Sequence, residues 1–325
     1  MLLKTIIKNR AFVISLTFFC LIFTGCSDVS SSDVKNNNKP NEKNSFNYQK
    51  PQIVGQIKSN EITESSGIAA SRCNKNVLWT HNDSGDGAFI FAINEKGEKL
   101  GTWKVFGAKN KDWEDIAAFY DKQTGKCFLY IGDIGNNERL RSEMTVYRVA
   151  EPQVSAADKT SNAKNPSVTE NAEAIKFEYP DMRHDAETLM VHPTTGDIYI
   201  LTKRLSGAAG VYKLTANYSL EKTNKPEKIA DFSVPAVPNG FLTGGDISPD
   251  GKRVIICDYF SAYEIVLSEN AKNFDEIWKQ KPVIVELGER EQGEAVSYST
   301  DEKSIFATSE RKNSPMIKAE MEREL

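Results

Sequence analysis

Asp246-Ile-Ser-Pro-Asp-Gly-Lys-Arg-Val-Ile-Ile-Cys-Asp258 reads as a carboxylate, a short apolar strand, a Pro-Asp-Gly turn, a second apolar strand and a closing carboxylate. Such a turn joins two antiparallel strands, because Gly accepts the backbone conformation that reverses the chain. The unit is not alone. Its first half recurs as Glu64-Ser-Ser-Gly-Ile-Ala-Ala, Glu114-Asp-Ile-Ala-Ala, Glu187-Thr-Leu-Met-Val and Glu294-Ala-Val-Ser-Tyr. The matching second halves end at His81-Asn-Asp83, Asp133, Lys203 and Glu310. Successive first carboxylates are separated by 50, 73, 59 and 48 residues. A repeat of this size, made of short strands and turns, signals a β-propeller, in which each unit is one blade.

The expected fold is therefore all-β: a single propeller of five blades, with six as the alternative because the fifth repeat is short. The strands fall within residues 67–105, 115–179, 188–234, 245–287 and 294–318. The fifth repeat supplies three strands, and residues 52–57 form an apolar strand with no repeat of its own. It is expected to complete the fifth blade and close the ring, which removes exposed edges. Residues 151–172 are polar, contain Pro152 and Pro166, and read as a disordered insertion in the second blade. Helical periodicity is confined to residues 318–325.

The chain has 325 residues and a net charge of −4. Lys4, Lys8 and Arg10 are the only charges in residues 1–25, so the remainder is three units more acidic. That balance argues against a nucleic-acid binder, which needs a basic face. A basic start, an apolar run over residues 11–23 and Thr24-Gly25-Cys26 describe a cleaved export signal, too short to span a bilayer. Thr-Gly-Cys resembles the lipobox of bacterial lipoproteins, although Phe23 stands where leucine is usual. The resemblance implies acylation of Cys26, with an ordinary signal peptide as the alternative. The organisation is then signal 1–25, lipidated flexible tether 26–50 and propeller 51–325. The expected setting is a bacterial envelope, with a monomer anchored to the membrane through Cys26. Cys73, Cys127 and Cys257 remain in the folded part. Cys73 and Cys127 fall on one face of adjacent blades, close enough for a disulfide at a Cα separation of about 6 Å, which leaves Cys257 as a buried thiol.

In a propeller the inner strand begins, and the second strand ends, on the same face. The repeated carboxylates thus converge on one mouth. Glu64, Asp83, Glu114, Asp246, Asp258 and Glu294 are candidate ligands of a divalent cation, calcium above others, because clustered carboxylates repel unless a cation sits among them. His81, His184 and Glu187 are the candidate catalytic groups, histidine being able to move a proton near neutrality. His192 lies at the opposite end of its strand and reads as structural. The competing reading of the carboxylates is also structural: they accept N–H bonds from neighbouring blades. Asp83-Ser-Gly-Asp86 and Asp133-Ile-Gly-Asn-Asn137 look like small calcium loops or plain turns. Serine-hydrolase, zincin and NTPase motifs are missing.

Ser248-Pro-Asp-Gly-Lys252 followed by Val254-Ile-Ile resembles the repeat of TolB-type propellers. The chain from residue 52 resembles exported bacterial propellers of the gluconolactonase-like and phytase-like group, on Ser66-Gly-Ile, Asn82-Asp-Ser-Gly, Asp112-Trp-Glu-Asp-Ile116, His184-Asp-Ala-Glu187 and Gly293-Glu-Ala. That resemblance implies a propeller and a divalent metal at the central channel, with Glu64 and Asp83 or Asp258 among its ligands. Two functions follow as expectations. One is a metal-assisted hydrolase of a small lactone, phosphate ester or sugar derivative. The other is a non-catalytic propeller that grips a small-molecule or envelope ligand at its mouth.

Overall fold

The computed structural model describes residues 46–322. The signal segment, Cys26 and most of the tether lie outside them. Strand β1 is Gln52–Gln56. Blade 1 is formed by β2 Ser65–Ala70, β3 Val77–Asn82, β4 Phe89–Asn94 and β5 Lys99–Lys104. Blade 2 is formed by β6 Trp113–Asp121, β7 Lys126–Asp133 and β8 Met144–Ala150; after an insertion carrying the short β9 Ser167–Val168, its outer strand is β10 Glu173–Phe177. Blade 3 contains β11 Ala186–Val191, β12 Ile198–Thr202, β13 Ala209–Leu214 and β14 Glu227–Phe232. Blade 4 contains β15 Gly244–Ile247, β16 Arg253–Cys257, β17 Ala262–Val266 and β18 Val283–Val285. Blade 5 contains β19 Gly293–Tyr298, β20 Ser304–Ser309 and β21 Pro315–Glu320, and β1 pairs antiparallel with β21 as its fourth strand.

The inner strands touch in a closed cycle, β2 to β6 to β11 to β15 to β19 and back to β2, which fixes the count at five blades. Five separate apolar clusters fill the five blade interfaces. Trp79, Trp103, Trp113 and Leu129 sit between blades 1 and 2, and Ile68, Phe91, Ala295, Phe306 and Met316 close the ring between blades 5 and 1. Strand alternation explains this division: Leu78 faces one neighbour and Trp79 the other.

Three expectations change. Residues 151–172 are ordered rather than disordered. Glu151 is buried, and its carboxylate accepts bonds from the Trp79 indole N–H at 3.0 Å, the Asn74 amide at 2.7 Å and the Ser71 hydroxyl. Strand β9 lies parallel to β5, and the Ser161 hydroxyl accepts the Thr102 N–H. The polar composition is thus consumed by hydrogen bonds along the outer edge of blade 1, with Val154 and Ala172 as apolar anchors. The C-terminal periodicity is not a helix, since β21 runs to Glu320. The folded part also starts before residue 51: Tyr48 bridges to Met321 and donates its hydroxyl to Glu264 at 2.6 Å.

Cys73 and Cys127 are joined by a disulfide with their Cα atoms 6.0 Å apart, and Cys257 is a buried thiol. His192 is buried below blade 3, where its Nδ1 accepts the Thr195 N–H at 3.2 Å and its ring packs on Phe274. No described helix is long and apolar enough to cross a membrane.

Candidate metal centre at the mouth

The start of the inner strand carries a local irregularity in four of the five blades. Pairing skips one residue between Ser65 and Gly67, Trp113 and Asp115, Ala186 and Thr188, and Gly293 and Ala295. The skipped residues are Ser66, Glu114, Glu187 and Glu294. A bulge leaves its extra residue out of the ladder and re-aims the side chain. Blade 4 has no bulge there: Gly244 and Gly245 pair with Cys257 and Ile256 without a break.

The repeated carboxylates are therefore not equivalent, as the sequence suggested they were. Glu114, Glu187 and Glu294 share the bulge position. Glu64 precedes it by two residues, in the row of Asp112 and Asp185. Asp246 lies one step deeper, in the channel. There its Oδ1 accepts the Ile247 N–H at 2.8 Å, and its Oδ2 accepts the Tyr298 N–H at 3.0 Å and the Ser297 hydroxyl at 2.9 Å. Asp115 does the same between blades 2 and 3, accepting the N–H groups of Ile116 and Leu189. Asp246 is thus corrected from cation ligand to inter-blade clasp. Asp258 is corrected likewise: its carboxylate accepts the N–H groups of Phe260 and Ser261 and the Tyr263 hydroxyl within its own hairpin.

Both candidate catalytic histidines are also withdrawn from the mouth. His81 is fully enclosed, its Nδ1 lies 2.9 Å from the Asn82 carbonyl and its ring stands edge-on to Trp113. Burial lowers its pKa to about 4. His184 Nε2 lies 3.0 Å from Asp181 and 2.8 Å from the Tyr212 hydroxyl, away from the carboxylate ring. His81 is held by its packing on Trp113 and its bond to the Asn82 carbonyl, and His184, which lies before β11, is held by Asp181 and Tyr212.

What remains is a tight acidic set. Ligand oxygens of Glu114, Asp185 and Glu187 lie within 4.8 Å of one another, and so do those of Asp83, Asp112 and Glu114. Glu114, Asp185 and Glu187 are all buried. Burial lifts Glu114 well above the usual carboxylate range, with Glu187, Asp83, Asp112 and Asp185 adding to it. Glu187 is pushed up to about 8 by burial, against the pull of Lys203, whose ammonium pairs with Oε1. Its other oxygen, Oε2, is buried with no hydrogen-bond partner. Lys203 lies over the rings of Phe241 and Tyr259, at 4.6 and 5.1 Å, which fixes the side chain that steadies Glu187. Burial also raises Asp83 to about 6 and Glu310 to about 8; Glu294 adds to the Glu310 shift. Glu294 itself is held by Gln292 at 3.1 Å and Ser66 at 3.4 Å.

Backbone geometry presses the set together. A Cβ on Gly135 would lie 2.0 Å from Glu114 Oε1 and 2.5 Å from Asp112 Oδ2, so only glycine fits behind these carboxylates. Asn82 organises the blade 1 side, accepting the N–H groups of Thr63 and Glu64. Asp112 and Asp185 are members that sequence reasoning left out of the site, and Glu310, a second-strand end at the mouth, is one to which it gave no role. A signal for two of them is present: Asp112-Trp-Glu114 and Asp185-Ala-Glu187 both place an acid two residues before the bulge carboxylate.

In architecture the chain is similar to two solved structures. A gluconolactonase from Xanthomonas campestris aligns over 87% of this chain and 99% of its own, with 12% identity and a TM-score of 0.46. A chain of a nidogen/laminin complex aligns over 76% of this chain and 72% of its own, with 12% identity and a TM-score of 0.43. No family model matches the sequence, and a search of curated proteins finds no match.

Proposed function

We propose that this propeller holds a divalent cation, calcium, in its mouth and hydrolyses a small lactone, phosphate ester or sugar derivative there. The observation that carries the reading is the buried trio Glu114, Asp185 and Glu187, with Glu187 Oε2 left without a partner. An unpaired buried carboxylate oxygen is costly, and a hard cation relieves that cost together with the repulsion among the three. The donor set fits, because it is all carboxylate oxygen, the ligand type that calcium and magnesium take. Glu114, Asp185 and Glu187 would hold the ion. Such an ion supplies polarisation of a substrate carbonyl or phosphoryl oxygen. Lys203 orients Glu187.

The test is thermal melting of the purified protein in calcium and in EDTA, followed by turnover assays on lactones, phosphate esters and sugar derivatives. Calcium should raise the melting temperature, and Glu187→Gln should abolish that response. No calcium response in the wild type overturns the reading. A second reading is favoured by the burial of His81 and His184, which leaves the ring without a histidine base: a cation-dependent binding module without chemistry. A calcium response without turnover of any substrate class supports it.

We also place the domain at a bacterial membrane, tethered through acylated Cys26. The support is the basic start, apolar run and Thr-Gly-Cys of the N-terminus. Cys26→Ala should release the protein from the membrane fraction, and unchanged partitioning refutes the anchor.

A further inference from the structure

We infer that the mouth is built for two cations rather than one, with Glu114 as the ligand they share. The inference rests on the cation reading of the same mouth and adds a site formed by Asp83, Asp112 and Glu114. Calcium stands 2.3–2.6 Å from its oxygen ligands, so oxygens on opposite sides of one ion are about 5 Å apart. Two sets meet that spacing, each with its ligand oxygens within 4.8 Å: Asp83 with Asp112 and Glu114, and Glu114 with Asp185 and Glu187. The five residues do not merge into one group at that limit, so the geometry defines two positions joined at Glu114.

The pointer to a ligand is separate from the count of acids. Glu114 is 4% exposed, and no hydrogen bond among the described residues reaches its carboxylate. It sits in both sets, and the Gly135 backbone closes the space behind it and behind Asp112. Four of its neighbours are acids: Glu187, Asp83, Asp112 and Asp185. The groups facing the new position besides the three ligands are the Ser84 N–H and hydroxyl, the Arg141 guanidinium and the acids Glu64, Asp133, Asp185 and Glu310. Arg141 is already engaged with Asp133 at 2.7 Å and with the carbonyls of Asp133 and Gly135. The loop Asp83-Ser-Gly-Asp86 thereby contributes a ligand from blade 1 and Asp112 one from blade 2, so the second ion would bridge two blades as the first bridges blades 2 and 3.

Calcium titration of the full chain in detergent, by calorimetry and by native mass spectrometry, counts the sites. Two equivalents are expected. Asp83→Asn and Asp112→Asn should each remove one equivalent and leave the other, Asp185→Asn should remove the other, and Glu114→Gln should weaken both at least tenfold. Melting in EDTA reports whether each variant still folds, and the wild-type stoichiometry stands independently of any variant. A single equivalent that survives Asp83→Asn and Asp112→Asn overturns the shared-ligand site while leaving the single-cation reading intact. No binding at all overturns both.

Discussion

At the scale of the residue, the same side-chain chemistry does opposite work one step apart. Asp246 and Glu294 both begin an inner strand, yet Asp246 is satisfied by N–H groups and Glu294 stands in the ring. Asp246→Asn should therefore cost about 1–3 kcal/mol of stability, because an amide N–H₂ would face the Tyr298 N–H. Denaturant melts in calcium and in EDTA check it: the two curves should drop together. A normal fold with the calcium response lost would return Asp246 to the cation site. Titration gives a second prediction. Glu310 has an ordinary carboxyl value of 4.5 when unfolded and about 8 when folded. Its stabilising contribution is complete below 4.5 and disappears as pH rises through 8. His81 acts in the other direction, lowered from 6.5 to about 4, but its window ends at 6.5. Between pH 6.5 and 8 the ring acids govern, so without calcium the protein should be less stable at pH 8 than at 6.5. Glu310→Gln, neutral at both values, should narrow that difference. Equal urea midpoints at the two pH values in EDTA would refute the assignment.

At the scale of the element, β1 is the closing device. It supplies the outer strand of blade 5 from the other end of the chain, and Tyr48 extends the attachment to Met321 and Glu264. The fit is close: a Cβ on Gly55 would lie 2.1 Å from the Lys96 carbonyl of blade 1. Removing residues 46–56 bares the edge of β21, an unpaired ladder that recruits other strands. The truncated protein should unfold at lower temperature and elute as aggregates in size-exclusion chromatography. A monomer with unchanged melting would mean that β1 is dispensable. The bulges belong to this scale too. Three of them turn a glutamate that strand alternation alone would place in the ladder toward the mouth, whereas blade 4 runs through Gly244 and Gly245 without a bulge.

At the scale of the whole molecule, five interfaces hold a ring that only closure makes continuous. The disulfide between Cys73 and Cys127 ties blade 1 to blade 2 across 54 residues of sequence, beside buried Glu151. A crosslink over a loop of that length restricts the unfolded chain and is worth about 2–4 kcal/mol. Reduction, or Cys73→Ser, should lower the urea midpoint correspondingly, while Cys257 stays unreactive until the protein unfolds. An unaltered midpoint after complete reduction would show that the bridge contributes nothing.

Repetition, turn chemistry and period-two patterning determined the blades, their strands and the closing role of residues 52–57, because those signals are local and each blade repeats them. The partnership of Cys73 with Cys127 was legible for the same reason: blade geometry places both on one face. Adjacency in three dimensions decided the site. A carboxylate at a strand start becomes a clasp or a ring member according to whether a bulge rotates it, and no local pattern separates Asp246 from Glu187. His81 and His184 read as mouth residues from their position in the chain, yet tertiary packing buries one against Trp113 and engages the other with Asp181 and Tyr212. The insertion at 151–172 looked disordered because its stabilising partners lie on blade 1, some fifty to eighty residues away. Hydrogen bonds to distant backbone and side chains leave no trace in composition, so tertiary structure alone could supply them.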